Sequence, residues 1–399
     1  MTLSLHYPTG LRAFPVLLLL ITLSSACART RTALPRIQSD TVRISVRDTV
    51  FVSRIDTVTP YRRTGGAAEV TVFFATDRRI ESQTAVNSRT ATGFVKSFGA
   101  EPSTTGVLQF GSVTVSIPRN HRVGEIESPA WYMFSAEPDP KKHLAFVRAK
   151  RLESRTAFDS LRAIVERSTK KDAFVFIHGF NVDFGEAVMR TAQLAWDLGF
   201  DGAPILYSWP SKGSVLRYSA DRNNAEWTAP HLRTFLDSVV AVTKAEKVHL
   251  IAHSMGAHAL GLALKAMPAG VTPKFNQIIL AAPDIDARIF RDQIAPAIRP
   301  LARQTTLYAS ANDRALLVAK LLTTQQRAGY TKPSVIQVDG ITVIDATSNS
   351  TDLLGHGYFA SNRAMVTDIF YLLKDGDPPN LRNLLKTDSP SRFWWTFRP

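Results

Sequence analysis

The chain has 399 residues, of which 45% are hydrophobic and 21% charged, and its formal net charge is +14. This globular composition excludes a disordered chain and an integral membrane bundle, and the length suffices for one large α/β domain with a leader and spacer, or for two modest domains. The positive charge is spread without a dense Lys/Arg block or a nucleic-acid-binding motif. We therefore expect a basic, solvated surface and no nucleic-acid partner.

The start of the chain predicts export. Residues 13–23 are an apolar run, shorter than the about 20 residues that a membrane span needs, and three small residues then precede Cys27, the only cysteine. This order is typical of a lipoprotein signal peptide, with cleavage before Cys27 and acylation of its thiol. A plain signal peptide is the alternative, because Arg12 is the leader's only Lys or Arg and Ser24 stands where such a motif usually carries leucine. We predict a signal peptide at 1–26.

A short repeat follows the predicted leader. The tripeptide Asp-Thr-Val recurs every eight residues at Asp40, Asp48 and Asp56. Repeats this short do not bury a core, so residues 27–65 are predicted to be an extended spacer and residues 66–399 the folded domain. The expected location is the cell envelope, exported and lipid-anchored, in the outer membrane or facing the periplasm in a Gram-negative cell.

The predicted elements of the domain begin with a β-rich entry and then alternate. Strands are predicted at 70–75, at 107–117 as a pair broken by Gly111, and at 145–149, with a helix at 156–168. Further strands are predicted at 173–177, 204–209, 248–252, 277–281 and 305–309, with helices at 182–198, 226–243, 255–266 and 314–324. Strands at 335–338 and 341–344 flank the turn dipeptide Asp339-Gly340, and Ser361 is predicted to cap a last helix that ends near 374. This alternation predicts a mostly parallel sheet with helices on both faces, so the fold class is α/β.

The strand at 248–252 runs into a serine and then directly into a helix. Ser254 is flanked two residues on either side by Ala252 and Gly256, and His253 directly precedes it. A strand–turn–helix of this kind tolerates only small flanking residues, because the strand and helix approach closely, and it exposes the hydroxyl on a strained turn. This pattern predicts a nucleophile elbow at Ser254, with alanine in place of its first glycine.

A serine hydroxyl needs a base, and the base needs an acid to orient it. In hydrolases with this elbow, the acid and then the histidine follow the serine in the chain. His356 is the only histidine after His258, which lies in the nucleophile's own helix, so His356 is predicted to be the base. Asp313, after the strand 305–309, is the predicted acid, and Asp284, one strand earlier, is the alternative.

Backbone N–H groups are predicted to form an oxyanion hole. His178 and Gly179 end the strand 173–177 with a turn that aims the next amide into the site. The donors would be the N–H groups of Phe180 and of Met255, which directly follows the nucleophile.

These motifs resemble the α/β-hydrolase superfamily, and within it a bacterial family of uncharacterised hydrolase-like proteins that carries a domain-of-unknown-function label. The resemblance runs from about residue 69 to 375. It rests on segments 73–78, 110–113, 177–181, 207–210, 252–256 and 281–286. It implies an α/β-hydrolase fold and serine-dependent ester or acyl hydrolysis, without indicating the natural substrate.

The predicted function is a serine hydrolase that cleaves small-molecule or lipid esters through an acyl-serine intermediate, without a metal or an organic cofactor. An acyltransferase with the same triad and a non-catalytic envelope-tethered binding module are the alternatives. His249, His253 and His258 are not expected to face one point, so no metal site is predicted. The membrane is an expected partner through the lipid anchor, and the aromatic residues 393–397 either contact a bilayer or pack onto the domain.

Overall fold

The structure is a computed structural model that describes residues 62–64, 67–82, 90–128, 138–211, 217–268, 270, 273–349, 358–389 and 392–398. The predicted signal peptide, Cys27, the spacer before residue 62, and His356 lie outside the described residues. No helix in the described part of the chain has both the length and the apolar content that crossing a membrane requires.

The strands of the described residues are mostly those that the sequence predicts. They are β1 Arg62–Thr64, β2 Ala67–Thr76, β3 Arg78–Ile80, β4 Phe98–Pro102, β5 Gln109–Ile117, β6 Ala145–Leu152, β7 Asp172–Ile177, β8 Gly202–Ser208, β9 Lys247–His253, β10 Phe275–Ala281, β11 Ala302–Ala309, β12 Thr342–Asp345, β13 Leu384–Ser389 and β14 Arg392–Phe397. Within the described residues, twelve strands form one sheet in the order β13-β14-β12-β11-β10-β9-β7-β8-β2-β5-β6, with β1 paired to β2. The strands from β2 to β14 in this order are parallel, so their carboxyl ends meet at one edge of the sheet.

The helices cover both faces of this sheet, which confirms the predicted α/β class. They are α1 Ala91–Val95, α2 Ser154–Arg167, α3 Phe184–Asp197, α4 Tyr218–Val242, α5 Met255–Lys265, α6 Ala287–Ile289, α7 Ala295–Ile298, α8 Arg314–Thr323, α9 Tyr358–Ser361 and α10 Arg363–Asp375. A π-helical turn, Phe290–Ile294, joins α6 to α7. Helices α2, α4 and α5 pack on one face, and α3, α8 and α10 pack on the other.

Strand β7 shows why the central strands read as continuous apolar runs. Ala173, Val175 and Ile177 pack into the core on one face, and Phe174 and Phe176 pack into the core on the other. Side chains alternate across a strand, so a strand covered on both faces needs apolar residues at every position.

Two predicted features of the strands are wrong. Residues 109–117 form one strand and not a pair, because Gly111 permits close packing inside the strand: a Cβ there would lie 2.3 Å from Lys150 O and 2.5 Å from the Phe74 ring. The hairpin at 335–344 is absent. Val335 and Ile336 are buried in the core instead of pairing, and β12 pairs in parallel with β11.

Two helix starts also differ from the prediction. Ser361 ends α9, and Asn362 caps α10 through its Oδ1, which accepts the Ala364 N–H at 2.8 Å. Asparagine is among the best N-cap residues, so the cap moves by one position. Helix α4 begins at Tyr218 and not at 226. The apolar pattern missed its first two turns because they are mainly polar and lack an apolar stripe.

Both ends of the described chain add strands to the sheet. Arg62–Thr64, at the end of the predicted spacer, pairs antiparallel with β2. At the other end, β14 pairs in parallel with β12 through Ile344 and Trp395, and the Trp394 and Trp395 side chains pack against opposite core faces. The C-terminal aromatic segment therefore packs onto the domain.

Candidate active site

Ser254 lies in the turn between β9 and α5, at the carboxyl edge of the sheet. Its backbone has φ 53° and ψ −120°, a conformation that residues with a side chain rarely adopt. Three backbone hydrogen bonds hold the turn: Ser254 N donates to Ala281 O at 2.9 Å, and Ser254 O accepts from Ala257 N at 3.0 Å and from Asp284 N at 3.1 Å. The surrounding structure therefore maintains the strain, as is common at functional sites.

Close contacts with neighbouring backbone and side-chain atoms require small residues around Ser254. A Cβ at Gly256 would lie 2.2 Å from His178 O, because α5 starts directly against the end of β7. A Cβ at Gly179 would lie 2.6 Å from His253 Nδ1 and 3.1 Å from Ser254 Cβ. The His178-Gly179 turn therefore lies in direct contact with the serine turn.

The two predicted oxyanion donors flank this contact. Phe180 directly follows Gly179, and Met255 is the first residue of α5. The first N–H groups of a helix have no partner within the helix, and the helix dipole favours negative charge at this end. The turn and the start of α5 can therefore present N–H groups to an oxygen next to Ser254.

His178 supports the turn from inside the protein. Burial, reinforced by the positive charge of Arg78, lowers the pKa of His178 to about 3, so its ring is neutral. Its Nδ1 lies 2.8 Å from Gly179 O, which makes Nδ1 the protonated nitrogen and leaves Nε2 to accept from Arg78 at 3.3 Å. The ring stacks on Trp209 with centroids 5.2 Å apart, and Trp209 Nε1 donates to His178 O at 2.7 Å. His178 is placed to orient the turn and not to exchange protons.

Arg78 is buried behind His178 and crosslinks several loops. Its guanidinium donates to Ser208 Oγ at 2.9 Å, Gly99 O at 3.0 Å, Val182 O at 2.8 Å and Ser211 O at 3.2 Å. Burial lowers the pKa of Arg78 to about 10, which leaves it charged at neutral pH. The ends of β2, β7 and β8 are thus held together beneath the turn.

Asp313 follows β11, two strands from the strand that carries Ser254. It caps α8 through Oδ1, which accepts the Leu316 N–H at 2.8 Å, and its side chain is buried. The carboxylate therefore occupies a fixed position at the same edge of the sheet as Ser254.

Asp284 lies nearer to Ser254 in the backbone, but its carboxylate is occupied on both sides. Arg327 Nε donates to Oδ1 at 2.6 Å, and the Tyr218 hydroxyl donates to Oδ2 at 2.7 Å. The guanidinium also donates to Asp284 O at 3.0 Å. This aspartate is the centre of a buried cluster that the sequence does not reveal.

The histidines near Ser254 in the sequence are held apart. His249 is buried in β9 with Nε2 3.7 Å from Asp172 Oδ2, and His258 in α5 has Nε2 3.3 Å from Glu226 Oε1. Among the residues that the structure describes, no group of three or more His, Cys, Asp or Glu is placed to hold a metal ion.

Arg78, Trp209, Tyr218 and Arg327 were not predicted as site residues. Arg78 and Trp209 belong to the motifs at the ends of β2 and β8; β8 lies next to β7, which His178 follows, and β2 lies next to β8. Polar residues after adjacent parallel strands meet at one edge, which is the signal that could have identified Arg78. No local pattern identifies Tyr218 or Arg327, since their partner Asp284 is distant in the sequence.

Known proteins resemble this chain over part of its length. A relative from Nostoc sp. (strain PCC 7120), "Uncharacterized protein alr1448", is 38% identical in the aligned part, which covers 25% of this chain and 34% of the relative. The chain therefore spans about a third of the length of the curated relative that it matches.

Three solved structures show only a limited similarity. AbyA5 wild type has 14% identity, with 53% of this chain and 62% of that chain covered and a TM-score of 0.30. Porphyromonas gingivalis dipeptidyl peptidase 4 has 8% identity, coverage of 60% and 31%, and a TM-score of 0.26. Pyrococcus horikoshii acylaminoacyl peptidase has 9% identity, coverage of 67% and 54%, and a TM-score of 0.29.

The family comparison covers the region that contains the site. The family model described as "Alpha/beta hydrolase of unknown function (DUF900)" matches residues 154–374, more than half of the 399 residues. The matched region begins with α2, includes the turn at Ser254, and ends within α10. The chain therefore belongs to this family of α/β hydrolases.

Proposed function

We propose that this protein is a serine hydrolase that cleaves carboxylic esters through an acyl-Ser254 intermediate. The observation that carries the proposal is the strained backbone of Ser254, at φ 53° and ψ −120°, between a buried strand and a helix start. A fold that maintains this strain against its energetic cost presents one hydroxyl at a fixed point. Nucleophilic attack is the chemistry that benefits from such placement.

In the proposed reaction, His356 takes the proton from Ser254 Oγ as the oxygen attacks the ester carbonyl. The tetrahedral intermediate collapses, the alkoxide leaves with the proton that His356 returns, and the acyl group stays on Ser254. Water then attacks the acyl-enzyme with His356 again as base, and the carboxylic acid is released. The N–H groups of Phe180 and Met255 stabilise the negative oxygen in both steps.

We propose Asp313 as the acid that orients His356. Its carboxylate is buried and is fixed by the Leu316 N–H, on the loop after β11. Strand β11 pairs with β12, and His356 follows β12 in the chain. Asp284 is the weaker choice because Arg327 and Tyr218 already bind its two oxygens. An imidazole would have to displace one of these partners.

Turnover of p-nitrophenyl acyl esters from acetyl to long-chain acyl, with EDTA present, tests the proposal. We expect hydrolysis by wild type and labelling of Ser254 by a fluorophosphonate. Ser254→Ala and His356→Ala should each lower turnover by about 10⁶-fold, and the double variant should lose little more, because the two residues act as one unit. Residual catalysis of about 10³-fold over water is compatible with intact oxyanion donors.

Product analysis separates the alternatives. Transfer of the acyl group to an added alcohol in preference to water would instead assign an acyltransferase. A folded wild-type protein that neither takes the label nor turns over any ester would exclude the catalytic proposal and favour a binding module.

A further inference from the structure

Asp284 links three segments next to the candidate site. Tyr218 is the first residue of α4, Asp284 follows β10, and Arg327 lies between α8 and β12. The side chains of Arg327 and Asp284 are 2% and 3% exposed. The hydroxyl of Tyr218 and the guanidinium of Arg327 bind different oxygens of the same carboxylate, at 2.7 and 2.6 Å.

A buried ion pair of this kind is costly to form unless its hydrogen bonds are complete. Here Arg327 also donates to the backbone oxygen of Asp284 at 3.0 Å. The residue after Arg327 continues the attachment, since Ala328 N donates to Ile285 O at 2.8 Å, and Gly329 N donates to Pro283 O at 3.0 Å. The loop after β10 is therefore held against the segment 327–329 by both side chains and backbone.

The same cluster reaches both segments that carry the proposed oxyanion donors. Asp284 N donates to Ser254 O at 3.1 Å, directly before the Met255 amide. The Tyr218 ring packs edge-on against the Phe180 ring, with centroids 5.7 Å apart and planes at 70°. Asp284 thus connects the two turns outside the reaction centre: its backbone N–H binds the serine turn, and its carboxylate binds Tyr218, whose ring contacts Phe180.

We propose that Tyr218, Asp284 and Arg327 are positioning residues that hold the N–H groups of Phe180 and Met255 at their working separation. The inference rests on the proposed serine hydrolase function and deepens it. None of the three side chains needs to touch the substrate. The oxyanion donors act only if they are aimed at the developing charge, so a small displacement lowers turnover while substrate binding is maintained.

The protonation of Tyr218 is consistent with this role. Burial, with the negative charge of Asp284, raises the pKa of Tyr218 above its ordinary value. The hydroxyl therefore remains protonated and donates to Asp284 across the pH range in which esterases are assayed.

The test compares full-length wild type with Tyr218→Phe, which keeps the ring contact and removes the hydroxyl, and with Tyr218→Leu, which removes both. Tyr371→Phe on α10 is the matched control. Each protein is assayed with an ester and with the corresponding thionoester, whose sulfur is a poor acceptor for the oxyanion donors. Unfolding midpoints and pH–rate profiles are recorded for all four.

We expect Tyr218→Phe to lower kcat for the ester by about 10-fold, less than the roughly 10²-fold that a 1 Å misplacement costs. KM should stay within about twofold, because ground-state binding does not use the displaced donors. The ester-to-thionoester ratio of kcat should fall by a similar factor. Tyr218→Leu should lower kcat further, so that Tyr218→Phe retains part of the activity that Tyr218→Leu loses. The Tyr371→Phe control should have the kcat of wild type.

Asp284→Asn separates positioning from acid catalysis. If Asp284 is a positioning residue, the Asp284→Asn variant should show an unchanged pKa of the base in its pH–rate profile. A shift of that pKa, together with a loss of about 10⁴-fold, would make Asp284 the triad acid and overturn the inference.

The remaining outcomes distinguish this inference from the function on which it rests. An active wild type whose ester-to-thionoester ratio is unchanged in Tyr218→Phe would overturn the positioning role alone. A folded wild type that turns over neither substrate would overturn both proposals.

Discussion

Gly179 is the residue at which a single added carbon atom should lower both activity and stability. Its Cα faces the serine turn, and an alanine Cβ would lie 2.6 Å from His253 Nδ1 and 3.1 Å from Ser254 Cβ. We predict that Gly179→Ala lowers kcat by at least about 10²-fold, the cost of losing one oxyanion donor, because the turn must move away from Ser254. The destabilisation should be about 1–3 kcal/mol, as for other overpacked sites.

Steady-state kinetics and urea unfolding of Gly179→Ala test this prediction. Gly185→Ala is the control, because its Cβ would meet only the ends of side chains, Val95 Cγ1 at 3.0 Å, Phe146 Cζ at 3.3 Å and Asp183 Oδ1 at 3.4 Å, and these can shift. Wild-type turnover in Gly179→Ala would show that the contact with Ser254 does not place the proposed donor.

Asp313 offers a second test at the level of one residue. Asp313→Asn keeps the size of the side chain and an oxygen that can accept the Leu316 N–H, so α8 should remain capped. We predict that kcat falls by about 10⁴-fold, because a neutral amide neither selects the imidazole tautomer nor stabilises its charge. The measurement is ester turnover at an unchanged unfolding midpoint, and a loss under about tenfold would contradict the role of Asp313.

Among the elements, α3 is attached to the loop before β6 by a buried histidine. His121 Nδ1 lies 2.8 Å from Glu127 Oε2, and His121 Nε2 lies 2.8 Å from Asp197 Oδ1, at the end of α3. Burial alone would lower the pKa of His121, but the hydrogen bonds and charges of Asp197 and Glu127 outweigh it and raise the pKa above 6.5. The protonated ring therefore stabilises the folded state.

The raised pKa of His121 predicts how the stability of the folded protein changes with pH. A raised pKa in the folded state gives a stabilisation that is fully present below the unfolded value of about 6.5 and is lost as pH rises through the folded value. We predict that the difference in unfolding free energy between wild type and His121→Gln is largest at pH 5.5–6 and shrinks towards alkaline pH. Urea unfolding at several pH values measures it. A difference that grows with pH would show that His121 is neutral in the folded protein.

For the whole molecule, we propose that the hydrolase domain is attached to the cell envelope by a lipid on Cys27. This residue lies outside the described part of the structure, and the proposal rests on the apolar run 13–23 and on Cys27 being the only cysteine. In a bacterium that processes lipoproteins, wild type should incorporate labelled palmitate and partition with membranes. Cys27→Ser should lose both, because acylation requires the thiol. A soluble, unlabelled wild type would contradict the proposal.

Local sequence determined much of the fold. The apolar periods at 173–177, 248–252 and 277–281 predicted β7, β9 and β10 to within two residues at each end. An apolar strand pattern followed directly by a helical pattern predicted the strand–turn–helix at Ser254. The clash that excludes a Cβ at Gly256 is instead a tertiary contact, with His178 O and Ile177 O at the end of β7. Short-range sterics and side-chain periodicity do not depend on the rest of the chain.

Tertiary structure decided the features that join distant segments. The apolar pattern at 335–338 was the same for a hairpin strand and for a buried loop, and only packing distinguished the two. The burial of Arg78 beneath His178 and the two partners of Asp284 depend on which loops meet at the sheet edge. Residues far apart in sequence supply these contacts, so the hydrogen bonds of a carboxylate such as Asp284 are determined only when the whole sheet has formed.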